Sequence, residues 1–105
     1  MQLIRWNKET PPSLEALRLA LAQQGYQVLQ WTDMPGTVYP AHQHTSREVR
    51  WIVRGTLRVG IPEQGEEITL TAGDRLELEP NELYWADVEA EQPVMYLIGT
   101  KNGKK

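Results

Sequence analysis

The stretch Gly36-Thr37-Val38-Tyr39-Pro40-Ala41-His42-Gln43-His44-Thr45-Ser46-Arg47-Glu48-Val49-Arg50-Trp51-Ile52-Val53-Arg54-Gly55 decides how the rest of the chain is read. It holds both histidines of the protein and is closed by glycine at each end. Successive side chains of an extended strand point to opposite faces, so the single Gln43 between His42 and His44 places both imidazoles on one face. A short turn at Thr45-Ser46-Arg47 would bring Glu48 back to the same point. Two neutral nitrogens and one carboxylate oxygen suit a mononuclear divalent ion with open positions. Beyond Glu48 the alternation puts Glu48, Arg50 and Ile52 on one face and Trp51 and Val53 on the other.

Downstream, nearly every segment is a short strand closed by Gly, Pro or Asn. Thr56 to Ile61 alternates Leu57, Val59 and Ile61 with Thr56, Arg58 and Gly60. Pro62-Glu63-Gln64-Gly65 is a hairpin loop, answered by Glu67 to Thr71. Ala72-Gly73-Asp74 turns the chain into Arg75 to Glu79, and Pro80-Asn81-Glu82 turns it again, with Asn81 suited to a left-handed position. Tyr84 to Val88 and Val94 to Ile98 complete the strands. Met95 and Tyr96 point to opposite faces, and one of them lines the interior. Upstream, Tyr26 to Thr32 is β-branched and aromatic, and Asp33-Met34-Pro35-Gly36 is a turn. One helix precedes it: Leu14, Leu17 and Leu21 recur at helical spacing, Thr10 or Ser13 caps the start, and Gly25 ends it. Leu19 lies off that stripe. Gln2 to Trp6 reads as an edge strand, and the polar, basic tail from Thr100 to Lys105 as frayed. Strands this short, with turns this regular, predict a sandwich or barrel.

The chain has 105 residues, enough for one core. A formal charge of −3 argues against phosphate-backbone binding as the main business, because that needs a concentrated cationic surface. The absence of cysteine agrees with a reducing compartment. No apolar run approaches membrane-spanning length, and Met1 to Trp6 lacks the apolar core of a secretory signal. A cytoplasmic protein with neither membrane nor nucleic-acid partners is expected.

The stretch from Gly36 resembles the first motif of the cupin family: Gly, five residues, His-x-His, three or four residues, Glu, six residues, Gly. Gly36, His42, His44, Glu48 and Gly55 satisfy every position. The second motif survives in part. Gly73 fits, Glu79 stands where Pro is expected with Pro80 one place later, Asn81 replaces the Gly, and Tyr84 occupies the position of the last His. The resemblance covers Tyr26 to Ile98. It implies an all-β, double-stranded β-helix (jelly-roll) barrel over residues 26–99, with an N-terminal strand and α-helix over 1–25 packed on it and a tail over 100–105. It also implies one divalent transition metal per chain (Fe, Mn, Zn or Ni), held by His42, His44 and Glu48.

Tyr84 leaves three alternatives open. A phenol, whose ordinary pKa is about 10, ligates well only as phenolate, which a hard trivalent ion would favour. Alternatively, Tyr84 fills the space of the lost histidine and hydrogen-bonds a metal-bound water or Glu48. Or the missing ligand leaves a site too weak to hold metal. Arg50 either clamps a substrate carboxylate or neutralises Glu48, unless a bulge turns it to solvent. Tyr39 and Trp51, near the ligands in sequence, are assigned with Arg50 to a substrate pocket. As an enzyme, the protein would act on a small oxygenated molecule as a dioxygenase, isomerase or lyase, with Glu48 as base and Tyr84 as acid. As a binder, it would sense or store a metal or small molecule. The apolar face carrying Trp51 and Val53 needs covering by the helix or a second copy, and a homodimer is expected.

Overall fold

The computed structural model describes residues 1–101. Its elements in chain order are β1 (Gln2–Ile4), α1 (Leu14–Gln23), β2 (Gln27–Asp33), β3 (Val38–His42), β4 (Arg47–Arg54), β5 (Leu57–Ile61), a 3₁₀ turn (Pro62–Gln64), β6 (Glu66–Leu70), β7 (Arg75–Leu78), β8 (Tyr84–Asp87) and β9 (Val94–Lys101). A five-stranded sheet in the order β1-β7-β4-β9-β2 faces a four-stranded sheet in the order β3-β8-β5-β6. Every strand pair is antiparallel. Two facing antiparallel sheets with one helix outside make the double-stranded β-helix that the resemblance implies, one of the sandwich or barrel folds that the turn pattern predicts.

β4 is the hinge of the architecture because its two faces serve two cores. Ile52 points between the sheets, where it packs with Leu57, Val59, Leu76, Tyr84 and Tyr96. Val49, Trp51 and Val53 point the other way and pack with Leu17 and Leu21 of α1. The helix forms because Ser13 accepts the Ala16 N–H at 3.3 Å and because Leu17 and Leu21 share the buried face. It thus covers the apolar outer face of β4 without a second copy. Leu19, off the stripe, is exposed.

Turn chemistry is as read from the residues. Gly65 is left-handed after the 3₁₀ turn, and Asn81 is the only non-glycine with positive φ among the described residues (66°). The tail is shorter than its composition suggests: Thr100 pairs with Gln27 and Glu48, and Lys101 with Arg47, so β9 runs three residues past Ile98. Residues 102–105 lie outside the described residues. β1 is an edge strand, paired to β7 in the same sheet as β4. Among the described residues no helix is long and apolar enough to cross a membrane.

β2 and β3 are consecutive in sequence but end up at the edges of different sheets, so the chain crosses between sheets at Met34–Thr37. Leu29 and Trp31 of β2 and Tyr39 and His42 of β3 line a cavity of about 290 Å³ that continues between the sheets.

Candidate metal centre and substrate cavity

His42 sits at the end of β3, in register with Tyr84 of β8, just after a bulge between Tyr39 and His42. Pro40, which cannot donate to a sheet ladder, lies in that bulge. Its carbonyl oxygen is 2.7 Å from His42 Nδ1. A proton on Nδ1 donated to this carbonyl leaves Nε2 with a lone pair, the arrangement expected of a ligating imidazole. His44 lies beyond the strand, in the segment leading to β4, where its carbonyl accepts the Asn81 N–H at 2.6 Å. The left-handed Asn81 turn thereby fixes the loop that carries the second imidazole. The two rings stand edge to face, with centroids 4.9 Å apart, and both line the cavity.

Glu48 is buried at the start of β4. Its Oε2 is 3.7 Å from His44 Nδ1, and its Oε1 is 2.8 Å from Arg50 Nη2. That second approach is one of charge: no N–H is aimed at Oε1, which is buried without a hydrogen bond. Arg50 Nη2 donates instead to the Tyr84 hydroxyl at 2.8 Å. Arg50 is therefore turned inward, as alternation along β4 requires, and lies between the carboxylate and the phenol. Burial pushes the Tyr84 phenol above its ordinary value; the Glu48 charge adds to this, and the Arg50 guanidinium only partly offsets it. The side chain is thus a neutral phenol that accepts from Arg50 and keeps its own proton to donate. Its ring packs 4.6 Å from that of His42.

Of the residues assigned from sequence, His42, His44, Tyr39, Arg50 and Tyr84 all line the cavity. Glu48 adjoins it through Arg50 and His44. Trp51 is a correction, because it does not reach the cavity. It follows Arg50 by one residue and so faces α1, where its indole N–H donates to the Gly73 carbonyl at 2.9 Å and Arg75 stacks on its ring at 4.7 Å. Nearness in sequence had suggested the pocket, but strand parity excludes it. Of the pair Met95 and Tyr96, Tyr96 lines the interior.

Sequence reasoning missed a second polar group. Asp33, the last residue of β2, is 5% exposed, and its carboxylate has three donors. Oδ1 accepts the Tyr39 hydroxyl at 2.6 Å and the Trp31 indole N–H at 2.9 Å, and Oδ2 accepts the Tyr96 hydroxyl at 2.6 Å. Burial and the bond to Asp33 raise the pKa of both phenols. The only local signal was an acidic residue opening a Met-Pro-Gly turn, which reads as turn chemistry. Its partner Tyr96 is 63 residues away.

A family model described as "Cupin domain" matches residues 29–99. The chain belongs to the cupin family. Three solved structures place this cupin among similar folds. The DMSP lyase DddQ from Ruegeria pomeroyi is 20% identical with a TM-score of 0.67, covering 76% of this chain and 40% of the lyase. The polyketide cyclase RemF from Streptomyces resistomycificus is 16% identical with a TM-score of 0.65, covering 75% of this chain and 58% of the cyclase. A cupin protein from Bacteroides fragilis is 23% identical with a TM-score of 0.65, covering 97% of this chain and 84% of the other. The present chain thus spans two fifths of the lyase's length, and at these identities the likeness is one of fold. No curated protein matches the sequence.

The residues of this cupin fit a metal ion in kind. His42 Nδ1 lies within hydrogen-bond distance of the Pro40 carbonyl, so that Nε2 is the nitrogen that would meet a metal, His44 stands beside it, and Glu48 presents a buried oxygen without a hydrogen bond. As placed, no three His, Cys, Asp or Glu side chains among the described residues group closely enough to hold one. Glu48 is drawn toward Arg50, and closing the set requires it to turn toward the imidazoles.

Proposed function

We propose that this cupin holds one divalent transition metal through His42, His44 and Glu48 and acts as a mononuclear metalloenzyme on a small oxygenated organic molecule. The observation that carries this reading is the edge-to-face imidazole pair on the wall of a cavity that also displays an inward guanidinium and a neutral phenol. A bound metal would supply Lewis acidity toward a substrate oxygen or, as iron, a place for O2. The chain's own residues supply the rest. Arg50 presents N–H donors into the cavity and can pair a substrate carboxylate. Tyr84 holds a proton on its phenol oxygen, oriented by Arg50, and serves as the general acid. Glu48, released from Arg50 by an incoming anion, is available as ligand or base. Leu57, Val59, Leu76 and Leu78 keep bulk water from the reacting end.

Because Tyr84 is neutral and already accepts from Arg50, this reading keeps it off the metal as an acid and positioning group. One observation favours a second reading, a binder without catalysis: the Glu48–Arg50 approach already satisfies the charge of the third ligand. Calorimetric titration of metal-stripped protein with Ni²⁺ tests the proposal. One ion should bind per chain, binding should be lost in His42→Ala, and it should persist or tighten in Tyr84→His. Binding that survives His42→Ala unchanged would remove the imidazole pair from the account.

A further inference from the structure

The cavity has a second polar pole, and its hydrogen-bond polarity is fixed. Tyr39 and Tyr96 both line the cavity, and both donate their single hydroxyl proton to Asp33, which is not among the lining residues, at 2.6 Å each. Trp31 donates to Asp33 and also approaches the Tyr39 oxygen at 3.2 Å, so one of the two lone pairs of Tyr39 is engaged. With their protons committed to Asp33, the two hydroxyls can offer a ligand acceptor capacity alone. Asp33 carries a negative charge that no Arg, Lys or His among the described residues pairs. That charge makes the two phenol oxygens stronger acceptors.

The opposite pole has the reverse polarity. Arg50 donates, and Tyr84, accepting from Arg50, has its proton to give. The strand register puts Arg50 across from Ile98 and Ile52 across from Tyr96, so the two poles are neighbours along the inner face of β4 and β9. Apolar side chains, Leu57, Val59 and Ala86 among them, wall the space.

The geometry points to a ligand of defined class. It is a short, mostly apolar molecule with an anionic or chelating oxygen at one end, met by Arg50, and a hydrogen-bond donor at the other, met by the Asp33-backed oxygens of Tyr39 and Tyr96. The inference deepens the proposed function by assigning Asp33, Tyr39 and Tyr96 as specificity-determining residues. A ligand whose far end only accepts would face two oxygens that cannot donate to it, leaving buried polar atoms unpaired.

The test is calorimetric, on the full chain as purified with its metal content measured. The probes are linear carboxylates of roughly four to six carbons, sized to the cavity, ending in hydroxyl, ammonium or methoxy. The hydroxyl and ammonium members should bind about fivefold tighter than the methoxy member of the same length, the loss expected for one unmade hydrogen bond. Tyr96→Phe should bring the three within about twofold of one another. Asp33→Asn is the sharper variant, because it is nearly isosteric. The two donors at Oδ1 keep the amide oxygen on their side, so the amide N–H₂ faces Tyr96, donates to its oxygen and frees the phenol proton toward the cavity. In Asp33→Asn the methoxy probe should therefore gain and the ammonium probe fall behind it. Equal binding of all three by the native protein would overturn the inference, as would an ammonium preference that persists in both variants. If none of the probes binds, the inference also fails. The metal content of that sample then shows whether the metal reading fails with it or stands.

Discussion

Arg50 is the residue on which the electrostatics of the cavity turns. It lies 2.8 Å from Glu48 Oε1 and donates to Tyr84 at 2.8 Å, so one guanidinium holds a metal-ligand candidate and a proton donor at once. Removing it exposes the competition. In Arg50→Met the carboxylate loses its counter-charge and a cation leaves the neighbourhood of the metal. Ni²⁺ affinity should rise about tenfold while affinity for carboxylate probes falls, both read by calorimetry. Weaker Ni²⁺ binding in that variant would mean that Arg50 positions Glu48 rather than competing for it. At this scale the inward guanidinium was legible from sequence, because Glu48 and Arg50 follow period-two alternation along β4; the imidazole pair was expected on one strand face, but β3 ends at His42 after a bulge and His44 lies in the segment beyond it. Trp51 was misplaced because nearness to the ligands was given more weight than its parity. The Asp33 group was invisible because it is assembled by the pairing of Trp31 with Tyr96 and by the crossing from β2 to β3, neither of which has a local signature.

Among the elements, the β6–β7 turn shows how a buried charge fastens a segment. Asp74 is 3% exposed. Its Oδ1 accepts the Trp6 N–H at 3.0 Å, and its Oδ2 accepts the Thr71 N–H at 2.9 Å and Arg5 Nη1 at 2.8 Å. Gly73 beside it has φ +92° and carries the Trp6 ring where a Cβ would stand, so the N-terminal segment seats only on glycine there. Burial alone would raise the Asp74 pKa, but the bonds from Thr71, Trp6 and Arg5 together hold it below the usual carboxylate range. Arg5 is half exposed, so solvent screens its charge and the two backbone N–H groups carry most of the effect. The sign follows. A folded-state value below the unfolded one, about 3.9, gives stability that is present above that pH and lost as pH falls through the folded value. Asp74→Asn should therefore cost about 1–3 kcal/mol at neutral pH in urea unfolding, with the gap from the native protein closing below about pH 4. A gap that stays constant into acid would show that shape, not charge, fastens the turn. The helix, the turns and the strand count could be read because capping residues, prolines and glycines act within a few positions. The end of β9 could not. Thr100 and Lys101 are polar, yet both pair with β4, and their backbone pairing outweighs composition.

For the whole molecule, the consequence of placing β2 and β3 at the edges of different sheets is a barrel with a mouth. β2 has a free edge of seven residues without proline or lysine, and Leu29, Trp31, Met34 and Val38 are exposed on or beside it. Such an edge templates further pairing unless something covers it. The α1 helix covers the outer face of β4 but not this edge, and we propose that a second copy does. Light scattering on a gel-filtration peak at micromolar concentration should give the mass of a dimer, whereas a monomer would contradict the pairing and leave the mouth open.

The account rests on the imidazoles of His42 and His44 meeting with Glu48 on one metal ion. Elemental analysis of the native protein beside His42→Ala is the most direct test. One transition-metal ion per chain in the first and a small fraction of that in the second is the predicted result. A native protein purified without metal, or an alanine variant that keeps it in full, would contradict the account.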